Sequence, residues 1–580
     1  MRKPKKIIIG TLVGTATLLV ALAVLLPALL NTDAINARIA KTASQAIDGQ
    51  VDFEQIRFVF LPRPHVIISQ GQMAVQDVVQ GTWSEILVFP RLSALLLARI
   101  EVADLTVKQP DFKLKLPESS GGKTGKSHSF LKNGDLRQQI EKGLGALVAV
   151  LKDVELTIEN GHLSVWAQDK APLEWQDITA GLSVAHHRVS VNLTCRSSFF
   201  QKIALKSEAN PDTLNVNGTV TIEELAPHSL ISYWHPETDP EITDGQMDVT
   251  LEFQSQDGRN WQTDFESRIS SLKVQNNTHQ ADIGPGALKG RCHVSAAQMS
   301  IHIDRLDLDH PQLSLAGTLS VSPSKAGGVH LQVTGQNIDA HGVRSTALSL
   351  GGHIPDVREV FDWVKGGRIP AITVEVQGKA WADLSEFERW RIDGQIADGA
   401  LFIPEVDLDL TDVFGHAVIE NGILTAENVR ADTGKTQGRQ GSLKIGLVGD
   451  AKPFHLNMDV TADLAPLPSI LDRVIDDKQF KSELSRIEDL RGMATGKLIL
   501  GENLDDISVQ IDVSQFDLMA RYNRLPHPLS VKGGRFQFKN HEIRMGDVSA
   551  QIKNTHFSKI SGRMNWRHTP EFEVQTGAGA

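Results

Sequence analysis

The stretch D153-V-E-L-T-I-E159 decides the fold class. Val154, Leu156 and Ile158 fall on one side of an extended chain, and Asp153, Glu155, Thr157 and Glu159 on the other. A period of two with a dry and a wet face is the signature of a half-buried antiparallel strand. The same alternation recurs outward from it. Phe112, Leu114 and Leu116 oppose Asp111, Lys113 and Lys115; Leu456, Met458 and Val460 oppose His455, Asn457 and Asp459; Val509, Ile511 and Val513 oppose Gln510 and Asp512. A doubly wound parallel sheet would show continuous apolar strands separated by helices, and is excluded on this pattern. Between alternating runs stand Glu159-Asn160-Gly161, Glu420-Asn421-Gly422 and Lys532-Gly533-Gly534, which read as hairpin turns. The expected sheet is therefore an antiparallel meander.

Helices are few. Leu136, Ile140, Leu144, Leu147, Val148 and Leu151 share one helical stripe, so residues 134–152 are expected to be an amphipathic helix. A second helix is expected from a capping Asp356 to Lys365, ending at Gly366-Gly367. Repetition is more informative. NVNGTVTIEELAPHSLI (215–231) resembles HLNMDVTADLAPLPSIL (455–471), each with a strand, acid-Leu-Ala-Pro and a short helix before a Gly-led strand. A looser copy runs from LQVTGQNIDA (331–340) through the 356 helix to AITVEVQG (371–378). A repeated strand–helix–strand unit predicts an elongated, solenoid-like body.

At the N-terminus, Arg2, Lys3, Lys5 and Lys6 precede an uncharged run from Ile7 to Leu30. As a helix it would reach ~36 Å, enough for a ~30 Å hydrocarbon core, and the preceding cations place the N-terminus in the cytoplasm. A cleaved signal peptide would have an apolar region of only about 7–15 residues and a small-x-small site. A retained single-pass anchor is the expectation.

Composition removes several classes. Lys plus Arg number 59 and Asp plus Glu 70, a net charge of −11, which argues against a nucleic-acid binder. Two Tyr in the chain are too few for the aromatic girdles of an outer-membrane barrel. Two cysteines, Cys195 and Cys292, cannot form a disulfide framework or a multi-cysteine metal site, and sequence leaves open whether they pair.

Candidate chemistry is sparse. Ser120-Gly-Gly-Lys-Thr-Gly125-Lys126-Ser127 lacks the first Gly of a phosphate loop and a helix starting directly after it, so 117–131 reads as a linker. Glu405, Asp407 and Asp409 share a strand face but lack the Gly-containing loop of a calcium site. His186-His187 and His302, Asp304, Asp309 and His310 lack zinc-site spacing. No Gly-x-Ser-x-Gly elbow or glycosidase carboxylate pair is present. Catalytic, cofactor-binding and metal residues are none, and the protein is expected not to be an enzyme.

VDFEQIRFVFLPRPHVIISQGQMAVQD (51–77), LSALLLARIEVADLTVKQPDFKLKL (92–116), IDGQIADGALFIPEVDLDL (392–410) and VIENGILTAENV (418–429) resemble, in order and pattern, the AsmA family of Gram-negative envelope proteins. That resemblance implies an inner-membrane-anchored, periplasmic β-groove tied to outer-membrane biogenesis and lipid movement. Phospholipid or another envelope lipid would be the partner, beside the inner membrane and envelope proteins. The expected organisation is a cytoplasmic tail (1–6), an anchor (7–30), an N-terminal AsmA-like β region (31–116), a linker (117–131), an amphipathic helix with middle groove repeats (132–353) and an AsmA-like C-terminal region (354–580). The terminal EFEVQTGAGA has no closing helix or return strand, so a longer C-terminal region is expected. The proposed groove lining is Phe112, Leu114, Leu116, Val154, Leu156, Ile158, Leu456, Met458, Val460, Val509, Ile511 and Val513. The alternative function is a periplasmic scaffold for targeting and assembly of outer-membrane proteins, without lipid transport.

Overall fold

The computed structural model describes the chain from residue 37, leaving out 38–39, 42–43, 46–48, 76–77, 98, 100, 116–132, 152, 167–170, 235–240, 277–279, 323–327, 353, 404–407, 449–451, 475–477, 540–541, 566–570 and 578–580. The expected anchor, the 117–131 linker, Leu116, Glu405 and Asp407 therefore lie outside the described residues. No helix among the described residues is long and apolar enough to cross a membrane. The fold is mainly β, with 69% strand and 14% helix, so helices are too few to form a second layer over every strand.

The chain divides into two compact units, one drawn from Met1–Thr238, Asp244–Ser271 and Leu288–Met299, the other from Asp239–Thr243, Leu272–Ala287 and Ser300–Ala580. The first opens with β1 (Gln50–Val59), β2 (His65–Val75), β3 (Val79–Pro90), the short α1 (Leu92–Leu96), β4 (Val102–Lys108) and β5 (Asp111–Lys115). Then come α2 (Asn133–Leu151), β6 (Glu155–Trp166), β7 (Leu173–Ala185), β8 (Arg188–Ser197), β9 (Phe200–Asn210), β10 (Asn215–Leu225), α3 (Pro227–Trp234) and β11 (Glu241–Ser255). Four strands follow where the units divide: β12 (Trp261–Gln275) and β14 (Gly286–Val294) lie mostly in the first unit, and β13 (Gln280–Ile283) and most of β15 (Met299–Leu308) in the second.

The second unit continues with β16 (Leu313–Val321), β17 (Val329–Asp339), α4 (Ala340–Gly351), α5 (Pro355–Trp363), β18 (Val364–Gly378), β19 (Trp390–Ile403) and β20 (Leu408–Glu420). After these come β21 (Ile423–Thr433), β22 (Thr436–Gly446), β23 (Pro453–Asp463), α6 (Leu467–Val474), α7 (Lys478–Leu484) and β24 (Ile487–Asn503). It ends with β25 (Asp506–Tyr522), β26 (Leu529–Lys532), β27 (Arg535–Lys539), β28 (Glu542–Ile552), β29 (Thr555–Asn565) and β30 (Glu571–Gln575).

The sheet is mixed, which corrects the purely antiparallel meander. β4 and β5 both pair parallel to β6. Parallel neighbours need a crossover rather than a tight turn, and the chain between β5 and β6, which contains α2, provides it. That helix also builds the first unit's best-buried cluster. Val184, Val189, Ala209 and Val216 sit beneath Leu144, Leu147, Val148 and Leu151 of α2, as the helical stripe in the sequence requires.

Three strand–helix–strand units match the sequence repeats. β10 and β11 pair antiparallel around α3, β17 and β18 around α4 and α5, and β23 and β24 around α6 and α7. The expected 356–365 helix instead starts at Pro355, preorganised for the first helical position, and stops at Trp363. Asp356 is not its cap; Gly366 and Gly367 lie inside β18. A Cβ on Gly367, at φ 125, would stand 2.7 Å from Gly399 Cα, so close backbone approach explains that glycine. Helix α4 had no signal strong enough to be anticipated; Asp339 caps it, accepting from the backbone N–H of His341 and Gly342.

Of the three expected turns, Glu420-Asn421-Gly422 is a hairpin, with positive φ at Asn421 (53) and Gly422 (70) between paired Glu420 and Ile423. The other two are corrections. Asn160 lies within β6 at a register shift, not in a turn. Gly533-Gly534 interrupts one strand position: β26 and β27 both pair with β25 and with β28.

Asn160 belongs to a recurrent device. Non-glycine residues at positive φ mark register shifts at Asp398 in β19, Asp412 in β20, Asn428 in β21 and Gln440 in β22. Each bulge adds one residue, bends its strand and resets which face the next residue occupies. In β21 the apolar set changes there from Leu424 and Ala426 to Val429 and Ala431, so the bulge keeps all four on one face. Asp547 and Lys559 do the same in β28 and β29.

Two stability tests follow from this arrangement. Asn428→Gly should leave stability within about 0.5 kcal/mol, whereas Asn428→Val, forced into the left-handed region, should cost about 1–2 kcal/mol, read from hydrogen exchange of β21 and β22 amides. Val189→Ala, at a side chain only 1% exposed, should cost about 2–3 kcal/mol. Leu456→Ala on a half-covered face should cost only about 1 kcal/mol, read from exchange of β22–β24 amides.

Candidate functional site: an apolar strip across the strands

The strand registers assemble isolated alternations into continuous rows. In the first unit, cross-strand partners run Ile56, Ile68, Ile86, Val107, Ile158, Ala180, Leu193, Leu205, Val220 and Leu251 through ten neighbouring strands. A parallel row holds Val88, Leu105, Leu156, Leu182 and Val191. In the second unit one row runs Val333, Val374, Ile392, Ile419, Leu424, Ile445 and Phe454. Another runs Met458, Leu498, Ile511, Phe538, Ile543 and Met564. At ~4.8 Å per strand, the strip is roughly 40 Å long in the first unit and roughly 50 Å in the second.

The coverage of these rows is what sets them apart. Every member of the second unit's two rows is half-buried, and in the first unit's long row only Ile56 is fully buried. An ordinary sheet face packs against a second layer and buries such residues outright. Away from Leu182 and Val191, which pack into the cluster beneath α2, the side chains shield one another within one layer. Cross-strand glycines assist: a Cβ at Gly81 would overlap the Phe112 ring, and one at Gly438 or Gly441 would overlap or crowd Met458. Phe112 and Met458 thus extend over their glycine neighbours.

The residues anticipated as lining fall on these rows or beside them. Leu114 partners Val79 and Val165; Val154 precedes β6, with Leu156 and Ile158 inside it. Leu456 partners Leu443 and Leu500, Val460 partners Gly438 and Gly496, Val509 partners Leu500, and Val513 partners Gly496 and Phe536. Sequence reading missed Ile86, Val107, Leu193, Leu205, Val220, Leu424, Ile445 and Phe538. Most of them alternate in phase with their own strands, as Val189, Val191 and Leu193 do; what joins them into a row is the cross-strand register, which no single strand carries.

The opposite face carries charge. Glu85 pairs with Lys108 at 3.2 Å, Arg391 with Glu420 at 3.0 Å, Asp517 with Lys532 at 3.1 Å and Asp459 with Lys497 at 4.0 Å, all across neighbouring strands. Such exposed pairs contribute a few tenths of a kcal/mol each and chiefly keep that face wet. A concavity of about 600 Å³ on β1–β6 belongs to this polar side, lined by Arg57, Glu85, Lys108 and Glu159 among others.

The shifted titratable groups among the described residues are buried thiols or members of local hydrogen-bonded and ion-paired contacts. No group of three metal-ligating side chains occurs among the described residues. His187 faces Asp212 at 2.7 Å at an exposed hairpin turn, and His302 faces Asp304 at 3.1 Å. Both cysteines are free thiols, and burial pushes each upward, which keeps them protonated and unreactive. The Arg439 guanidinium holds the Asp432 carboxyl below the usual range, and Arg544 with Arg563 does so for Glu542. Both clusters tie backbone strands together. Compared with known proteins, the chain matches no family model, and no curated protein matches it significantly.

Proposed function

We propose that this chain is an inner-membrane-anchored periplasmic protein of outer-membrane biogenesis, related to the AsmA family, whose sheet curls into a groove that carries envelope lipid. The observation that carries the proposal is the pair of unbroken, half-covered apolar rows. Each CH₂ of an acyl chain gains about 0.8 kcal/mol on leaving water, in a bilayer or against a dry strip alike, so transfer between the two is nearly level in free energy. Headgroups stay in water beside the strip. The aligned bulges of β19–β22 bend their strands together, which supports curling of the sheet. Level passage requires no catalytic group and no nucleotide. The lipid is a phospholipid or another acyl lipid of the envelope, and the basic segment before Ile7 holds the N-terminus in the cytoplasm.

Neighbouring residues on opposite faces test this directly. A photoreactive amino acid at Met458 or Leu498 of the full chain in cells should form lipid adducts, and one at Asp459 or Lys497 should form none. Leu456→Asp should lower the Met458 adduct at least several-fold while leaving the circular dichroism unchanged. Equal labelling of both faces, or no lipid adduct at any position, would sink the proposal. Protein adducts confined to Met458 and Leu498 would favour the scaffold function.

A further inference from the structure

Apart from the strip, the described chain concentrates its most exposed leucines at one place in the first unit. Leu97 is 72% exposed, Leu61 64% and Leu92 51%. They stand at one end of β1–β4, in the loop between β1 and β2 and in the connection from β3 to β4. Three contacts bring the two segments together. Arg63 lies over the Phe89 ring at 4.8 Å, His65 stacks on the same ring at 5.0 Å, and Arg63 pairs with Asp104 at 2.6 Å. Arg91 pairs with Glu101 at 3.6 Å and donates to the Asp153 carbonyl at 2.7 Å, holding the base of the connection to the start of β6.

The charge of this tip is unlike that of the chain. The chain carries a net −11, yet FLPRPH (60–65) and RLSALLLARI (91–100) contain Arg63, Arg91 and Arg99 and no acid. Glu101 and Asp104, just beyond these stretches, pair with Arg91 and Arg63, so the tip's excess of one positive charge is supplied by Arg99. Exposed leucines fringed by arginines match a bilayer interface, where apolar side chains enter the acyl boundary and guanidiniums meet lipid phosphates.

We propose that this tip inserts shallowly into an anionic bilayer surface and seats the first strands against the membrane. The choice of a bilayer rests on the tip's charge and on the anchored reading of residues 7–30, not on lipid occupying the strip. The segment 31–49 joins β1 at Gln50, the end away from the tip, and its extended span of at most ~65 Å exceeds the ~33 Å of β1 between Gln50 and the tip, so the tip can reach the membrane that holds the anchor.

The test uses the full chain in a Cys195→Ala/Cys292→Ala background, reconstituted into vesicles. An environment-sensitive nitrobenzoxadiazole label is placed at Leu61→Cys or Leu97→Cys, and at Gln80→Cys as an exposed control at the other end of β3. In phosphatidylglycerol/phosphatidylcholine vesicles the first two should shift to the blue and be quenched by shallow doxyl lipids. In pure phosphatidylcholine the shift should shrink, and Gln80 should stay water-like throughout. Water-like emission at Leu61 and Leu97 in anionic vesicles, or an equal shift at Gln80, overturns the proposal. Retention after an alkaline wash reports on the anchor separately: a released chain with shifted labels sinks the anchor and keeps the tip, and a retained chain with water-like labels sinks the tip alone.

Discussion

A single β layer with one apolar face is the constraint on which the rest depends. Alternation makes one face dry along every strand, and pairing lines those faces up whatever the loops do. A second layer would ordinarily bury them. With 14% helix, this chain covers only parts of the sheet, as where α2 seals Val184, Val189, Ala209 and Val216 and where α4 packs on β13 and β18. Elsewhere the rows remain half-buried, which leaves an apolar surface exposed along the strands.

Bulges reconcile that surface with the sequence. A strand of thirteen residues with strict alternation stays nearly straight, but one residue in the left-handed region at its middle bends it and moves the parity by one. β19 to β22 each use Asp, Asn or Gln at that point, and the apolar residues beyond it are displaced by one position to suit. The polar residue and the phase change are one feature seen at two levels. The same economy explains the glycines under Phe112 and Met458, where a missing side chain lets a long one cover its neighbour.

The two proposed activities occupy different parts of the molecule for a physical reason. Lipid tails require a long dry surface with water at its rim, which sheet geometry supplies. Attachment to a bilayer requires a small tip of mixed grease and positive charge, which loops supply at strand ends. The acidic remainder of the chain would be repelled by an anionic surface, which favours the proposed contact through the tip over contact through other faces.

Much of this was legible in the residues alone. Period-two runs such as 153–159 specify strands locally, since each residue's face depends only on its neighbours. The 134–152 stripe and the three strand–helix–strand repeats were likewise readable, because helical periodicity and repetition need no knowledge of distant partners. The parallel pairing of β4 and β5 with β6 was not, because a crossover is defined by where the chain returns. Asn160 read as a turn, since Asn-Gly tolerates positive φ in a bulge as well as in a hairpin; only the pairing of β6 with β7 chose between them. The apolar strip itself is a property of register. Leu193, Leu205 and Val220 are ordinary strand residues until hydrogen bonding sets them side by side, and that adjacency exists only in the tertiary structure.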